Sequence, residues 1–228
     1  MAITTTGVKV RRDKLVYGGI SYHRTNAHAL RLMTWGKKRQ PLGKSSYLEA
    51  QSFVSLEPFK VIKATKAEID YEQSAVNDIA ADLRPAQIKF AGAEVSTTRE
   101  LASEGSLKLV LLTIEPSQIK KHINSTPKVL EALKDADNDM RILTHAWGII
   151  KGETLDEVES STDGEAAVTV KGITLGVTGG RDGSSRTEVT YAKGDLYAYG
   201  FSRIEWDKQA KKKRTKVEGL RFDAKGIG

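Results

Sequence analysis

The chain has no cysteine among its 228 residues. That excludes disulfides, thiolate metal sites, cysteine nucleophiles and S-acylation together. Long apolar runs are also missing. The longest, Leu109 to Ile114, is far short of the roughly 20 residues a helix needs to cross a bilayer. Met1 to Lys14 carries charges where a signal peptide would be apolar, so a cytoplasmic location is expected. There is no internal repeat at a fixed period and no low-complexity block.

Catalytic signatures are absent as well. No His-Glu-x-x-His or Gly-x-Ser-x-Gly pattern occurs. Gly43-Lys44-Ser45 resembles the end of a phosphate-binding loop, but Lys38 stands where that loop needs its first glycine. Asp135, Asp137 and Asp139 resemble the start of a calcium loop, yet the glycine at loop position six and the glutamate at position twelve are replaced by other residues. No enzyme, cofactor or metal is expected. Asn124-Ser125-Thr126 matches a glycosylation acceptor, but with no signal peptide read it implies only a helix cap.

What the chain does have is charge, unevenly placed. Met1 to Lys66 carries 13 Lys/Arg against 3 Asp/Glu, Ala67 to Asp207 carries 15 against 24, and Lys208 to Gly228 carries 8 against 2. The ends are basic and the middle acidic, although the total is only +7. Such asymmetry points to an anionic surface, either a lipid headgroup layer or nucleic acid. With 39% apolar and 29% charged residues the chain can still bury a core.

The hydrophobic pattern is mostly that of strands. Ala29 to Trp35 suits a strand, followed by a basic loop from Gly36 to Lys44 that is broken by Gly and Pro41. Tyr47 to Leu56 and Phe59 to Ala64 resume extended structure. Ala67 to Leu83 fits either a strand or a helix. Gln87 to Val95 alternates, and Ser106 to Ile114 is the clearest buried strand. Pro116 and Pro127 each sit where a helix begins, with Thr126 placed as the second N-cap. Ile119, Ile123, Leu130 and Leu133 form the apolar stripe. Met140 to Ile150 reads as a strand. Ala166 to Val177 alternates over its whole length and reads as one barrel-wall strand. After a Gly/Ser turn, Thr187 to Tyr191 pairs back, and Leu196 to Trp206 is a final aromatic-rich strand. This is an α+β chain: a central twisted antiparallel sheet with long hairpins and a short helical element packed on it.

Several segments carry a resemblance. They are Leu30-Arg31-Leu32-Met33-Thr34-Trp35 with the basic loop and Ser55-Leu56-Glu57-Pro58; Ser106 to Ile114 followed by Glu115-Pro116 and a helix; Met140 to Ile150; and Gly179 to Phe201. In this order, over residues 29 to 206, they resemble the pore-forming domain of the gasdermin family. The chain departs from that family in lacking a cysteine near its start and in an N-terminus that reads as strand.

The resemblance implies a pore-forming domain over residues 1–206 and a basic tail over 207–228. It implies assembly with other copies on anionic membrane lipids. Two hairpins per chain, from Ala67–Ile114 and Arg141–Val189, would enter a large β-barrel at the cell membrane and cause lytic cell death. Lys37, Lys38, Arg39 and Lys44 would touch lipid, with Trp35 as interfacial anchor. Leu220 and Phe222 are the candidate autoinhibitory contacts of the tail, and Lys211, Lys212, Lys213 and Arg214 the candidate site of an activating protease. A partner chain is the alternative trigger. The competing expectation is a β-rich module that binds nucleic acid through the basic N-terminal third.

Overall fold

A computed structural model describes residues 7–55, 63–80, 87–89, 95–97, 103, 105, 107–136, 140–150, 166–170, 173–177, 190–191, 196–207 and 215–223. The architecture is α+β and mostly antiparallel sheet. In chain order the strands are β1 (Lys9–Val10), β2 (Lys14–Tyr17), β3 (Ile20–His23), β4 (Thr34–Arg39), β5 (Tyr47–Phe53), β6 (Lys63–Glu68), β7 (Gln87–Lys89), β8 (Val95–Thr97), β9 (Lys108–Thr113), β10 (Met140–Ile150), β11 (Ala166–Val170), β12 (Ile173–Val177), β13 (Thr190–Tyr191), β14 (Leu196–Trp206) and β15 (Val217–Phe222). The helices are α1 (Val76–Ala80), α2 (Pro116–Ser125) and α3 (Pro127–Asp135).

Ten strands form one sheet, with β10 and β14 side by side at its centre. Each of these long strands has two neighbours on its outer side. The start of β10 pairs with β4, at Met140 to Ile142, and its end pairs with β9, at His145 to Ile150. The start of β14 meets β3 and its end pairs with β15. The sheet therefore splits into two halves that curl differently. One half runs β5-β4-β10-β14-β15. The other runs β1-β2-β3-β14-β10-β9-β6 and curls until Val8 bridges Ile69 in parallel. Val8 N donates to Glu68 O and Asp70 N donates to Val8 O, both at 2.8 Å, so these seven strands close into a ring.

Two apolar cores follow from this split. The ring encloses Val8, Val10, Leu15, Tyr22, Ala67, Leu109, Leu111, Trp147 and Tyr197, with Ile79 of α1 among them. The second core lies under α2 and α3, where Ile119, Ile123 and Leu133 meet Leu112, Ile142, Phe201 and Val217. Strand β9 divides the two. Leu109 and Leu111 face the ring interior, while Val110 and Leu112 face the helices. Burial on both faces explains the apolar run Leu109-Val110-Leu111-Leu112. Full burial of each such side chain contributes roughly 1.5–3 kcal/mol.

Both prolines begin helices as their missing N–H groups allow. Thr126 is the N-cap residue of α3, but its hydroxyl lies 3.4 Å from His122 Nδ1 and makes no cap bond. Asn124 does not serve as a cap. Its side chain donates to Val217 O (2.9 Å) and accepts from Val217 N (2.8 Å), covering part of the outer edge of β15.

Three segments differ from the sequence-based expectation. Ala29 to Trp35 is not one strand: residues 27–29 form a 3-10 turn, Leu32 and Met33 a turn, and β4 starts at Thr34. The basic segment from Gly36 is not a loop until after Arg39. Gly36 makes this possible, since a Cβ there would lie 1.9 Å from Glu49 O, and only a glycine lets β5 approach so closely. Ala166 to Val177 is not one long strand but an antiparallel pair. Val170 pairs with Ile173, leaving only Lys171 and Gly172 between β11 and β12. Strand β13 then adds to β12, at Ile173–Tyr191.

Candidate functional site

The basic cluster sits at the end of the β4–β5 hairpin. Register pairs Lys37 with Glu49, Lys38 with Leu48 and Arg39 with Tyr47. The connection turns at Pro41-Leu42-Gly43-Lys44, where Lys44 N donates to Pro41 O at 3.3 Å and Gly43 takes a φ of +68°. An open groove of about 460 Å³ lies beside the turn, lined by Lys37, Lys38, Arg39, Gln40, Pro41 and Tyr47.

Strand alternation sends these cations in different directions. Arg39 is exposed and pairs with Glu49 at 2.6 Å. Such a surface pair contributes about 0–1 kcal/mol. Lys44 is exposed and Lys37 half-buried. Lys38 points inward, its Nζ 3.3 Å from Asp223 Oδ1 and 5.6 Å from the Phe201 ring centroid. Asp223 Oδ2 accepts from Arg141 Nε at 2.7 Å. Burial alone would raise the Asp223 carboxyl, but the bonds and charges of Arg141 and Lys38 outweigh it and hold the group below the usual carboxylate range.

Leu42 is a surface feature that the sequence reading did not single out. It is fully exposed at the turn, flanked by the basic side chains. The available signal was an apolar residue between Pro41 and Gly43, where solvated turns are normally polar. Trp35 lies at the other end of β4, half-buried against the helix-side core. It is therefore far from the turn.

The tail candidates also have definite positions. Residues 217–222 belong to the same sheet as the strands before Trp206, through register pairs from Ser202–Phe222 to Trp206–Val217. Leu220 is half-buried against the helix-side core. Phe222 lies over Gly200, where a Cβ would sit 2.5 Å from the Phe222 ring, and meets His145 edge-on with centroids 4.6 Å apart. Lys211, Lys212, Lys213 and Arg214 lie outside the described residues.

Two histidines lie within the sheet, His23 buried and His145 half-buried. His23 stacks on Phe201 with ring centroids 4.7 Å apart. Burial brings it down to about 4; the Ser46 backbone opposes this, nearby Lys38 adds to the lowering, and Asp223 and Asp13 oppose it weakly. Burial likewise brings His145 to about 4. Among the described residues no three His, Asp or Glu side chains gather as a metal site, and no helix is long and apolar enough to cross a membrane, which says nothing of strands.

No protein-family model, curated protein or solved structure matches the chain.

Proposed function

We propose that this protein permeabilises anionic membranes by inserting two β-excursions per chain, the activity that the gasdermin resemblance implies. One observation carries the reading. Strands β6, β9, β10 and β14 are successive antiparallel neighbours in the ring, and both long connections leave them from the same rim. Glu68 pairs with Lys108, Lys108 with Ile150, and Gly148 with Leu196. Residues 69–107 and 151–195 thus start and end side by side. Each is longer than the two spanning strands of about 9–11 residues that a membrane hairpin needs. Each also contains antiparallel pairing of its own, β7 with β8 in the first and β11 with β12 and β13 in the second.

The β4–β5 turn is the candidate lipid contact in this reading; Lys37 pairs with Met140 at the start of β10, so the turn lies at the end of the sheet opposite that rim, and docking through it must precede a reorientation of the chain. Exposed Leu42 enters the interface while Lys37 and Lys44 meet lipid phosphates. This arrangement favours lipid over nucleic acid. Base stacking needs exposed aromatic faces; Trp35 packs on the core and the exposed tip residue is aliphatic, which leaves half-buried Tyr47 as the aromatic in the groove. The C-terminal strand is the candidate control element, and cleavage at Lys211 to Arg214 would leave β15 without its covalent link to β14, held by its ladder, Asn124, Asp223 and the packing of Val217, Leu220 and Phe222.

Dye release from vesicles tests the reading. Leakage is expected from phosphatidylserine-containing vesicles and not from neutral ones. Lys37→Gln with Lys44→Gln removes about 2 kcal/mol of surface attraction, roughly thirtyfold in partitioning. Leu42→Asp is expected to weaken binding further without lowering stability. Folded protein that neither binds nor opens anionic vesicles refutes the reading, and salt-steep binding to DNA or RNA in its place supports the alternative.

A further inference from the structure

The ring is closed unevenly. Its four-stranded part is held by long ladders: six residue pairs between β6 and β9, six between β9 and β10, and seven between β10 and β14. Its three-stranded part, β1-β2-β3, is also internally paired, at two positions and then four. Among the described residues the two parts meet at one residue pair on each side, His23 with Tyr199 and Val8 with Ile69.

Side chains supply the rest of the attachment. Val10 N donates to Ser74 Oγ at 2.7 Å. Tyr17 and Tyr22 meet Trp147 edge-on, with centroids 5.2 and 5.4 Å apart. Arg24, just past β3, donates to Arg11 O (2.7 Å) within the meander, and to Asp78 O and Ile79 O (3.0 Å) at the end of α1. Tyr197 OH donates to the same Ile79 carbonyl at 3.0 Å. Arg24 thus ties the meander to α1, which lies within the first excursion.

We propose that residues 7–24 form a lid that closes the four excursion-bearing strands into a ring and leaves them as one unit. Its underside, Val8, Val10, Leu15 and Tyr22, is fully apolar or aromatic and buried. Lifting it exposes the inner faces of β6, β9, β10 and β14 together, and frees α1 from Arg24. That opening precedes release of both excursions, a role that rests on the membrane reading above. The lid itself does not depend on that reading.

The seam can be locked chemically because the chain has no native cysteine. A Cβ at Gly7 would stand 3.4 Å from Asp70 Cβ, close to the roughly 3.5–4.5 Å that disulfides span. Gly7→Cys with Asp70→Cys therefore bridges the seam without touching either core, and each single variant serves as control.

Amide hydrogen exchange on the full chain is the first readout. In the unmodified protein, Val8 to His23 are expected to exchange together and before the β9–β10 ladder. Oxidising the pair should slow them at least about tenfold and leave that ladder unchanged. Exchange of the meander only with the β9–β10 ladder overturns the lid, as does a folded double variant that will not oxidise. Leakage from phosphatidylserine vesicles is the second readout, expected only after reduction. If oxidation slows exchange while the vesicles stay sealed in both states, the lid stands and the membrane reading falls.

Discussion

Asp223 gives the sharpest test of how the C-terminal strand is held. Asp223→Asn keeps the shape of the side chain and removes its charge. The carboxylate contacts Arg141 Nε at 2.7 Å and Lys38 Nζ at 3.3 Å, and the Asp223, Arg141 and Lys38 side chains are only 13%, 9% and 8% exposed. The variant leaves two buried cations facing each other. Breaking a buried pair in this way costs about 3–5 kcal/mol, a large share of a total stability of about 5–15 kcal/mol. Urea unfolding at pH 7 reads it out. With a slope near 2 kcal/mol/M, the midpoint should fall by about 1.5–2.5 M. Replacing all three by apolar residues, Lys38→Met, Arg141→Met and Asp223→Leu, should recover most of the loss, since no charge remains buried. A loss below about 1 kcal/mol in Asp223→Asn would place the triad with exposed pairs and refute the argument. The acid side has a fixed sign. Because the native carboxyl is held low, its contribution is full above about pH 3.9 and disappears only as pH falls below that.

Two further outcomes are expected. His23 and His145, each near 4 in the fold against about 6.5 unfolded, make stability full above about pH 6.5 and falling toward pH 4, by about 1.4 kcal/mol per pH unit for each ring. His23 faces Lys38, Asp223 and Asp13, so His23→Phe should remove its share of the slope between pH 6.5 and 5 in urea titrations; an unchanged slope refutes the assignment. Gly36→Ala drives a methyl into the Glu49 carbonyl, so it should cost about 1–3 kcal/mol or detach β5, visible as faster amide exchange at Leu48 to Phe53; a loss under about 0.5 kcal/mol would show that β4 and β5 do not pack as described.

How much of this was legible depended on whether the signal was local. Pro116 and Pro127 fix helix starts through their own geometry, and both helices begin there. Leu109 to Ile114 reads as a buried strand because burial on both faces demands an unbroken apolar run. Residues 166–177 misled because alternation is the same whether a strand continues or folds back; Lys171-Gly172 was the only turn signal, and one glycine does not outweigh twelve alternating positions. Residues 36–39 misled because Gly36 reads as a breaker, while its structural use is to admit the neighbouring backbone. The inward turn of Lys38 toward Asp223 follows from strand alternation plus a partner 185 residues away, which no local pattern encodes. Ring closure at Val8 and Ile69 is non-local in the same sense.

The position of β14 at the centre of both halves bears on how the chain is made. Strands β1 to β3 meet residues 69–79 on one side of the ring, but on the other side their strand partner is Tyr199 of β14, and β10 and the β4–β5 hairpin likewise wait for β14 to complete their layer. At roughly 5–20 residues per second, synthesis keeps the N-terminal meander without that partner for about 10–40 s. During that interval its apolar underside is open to chaperones or to any nearby bilayer. A meander closed on one side by a strand made so much later conceals its apolar underside only once β14 has been synthesised, and a product stalled before Tyr199 would leave that surface exposed.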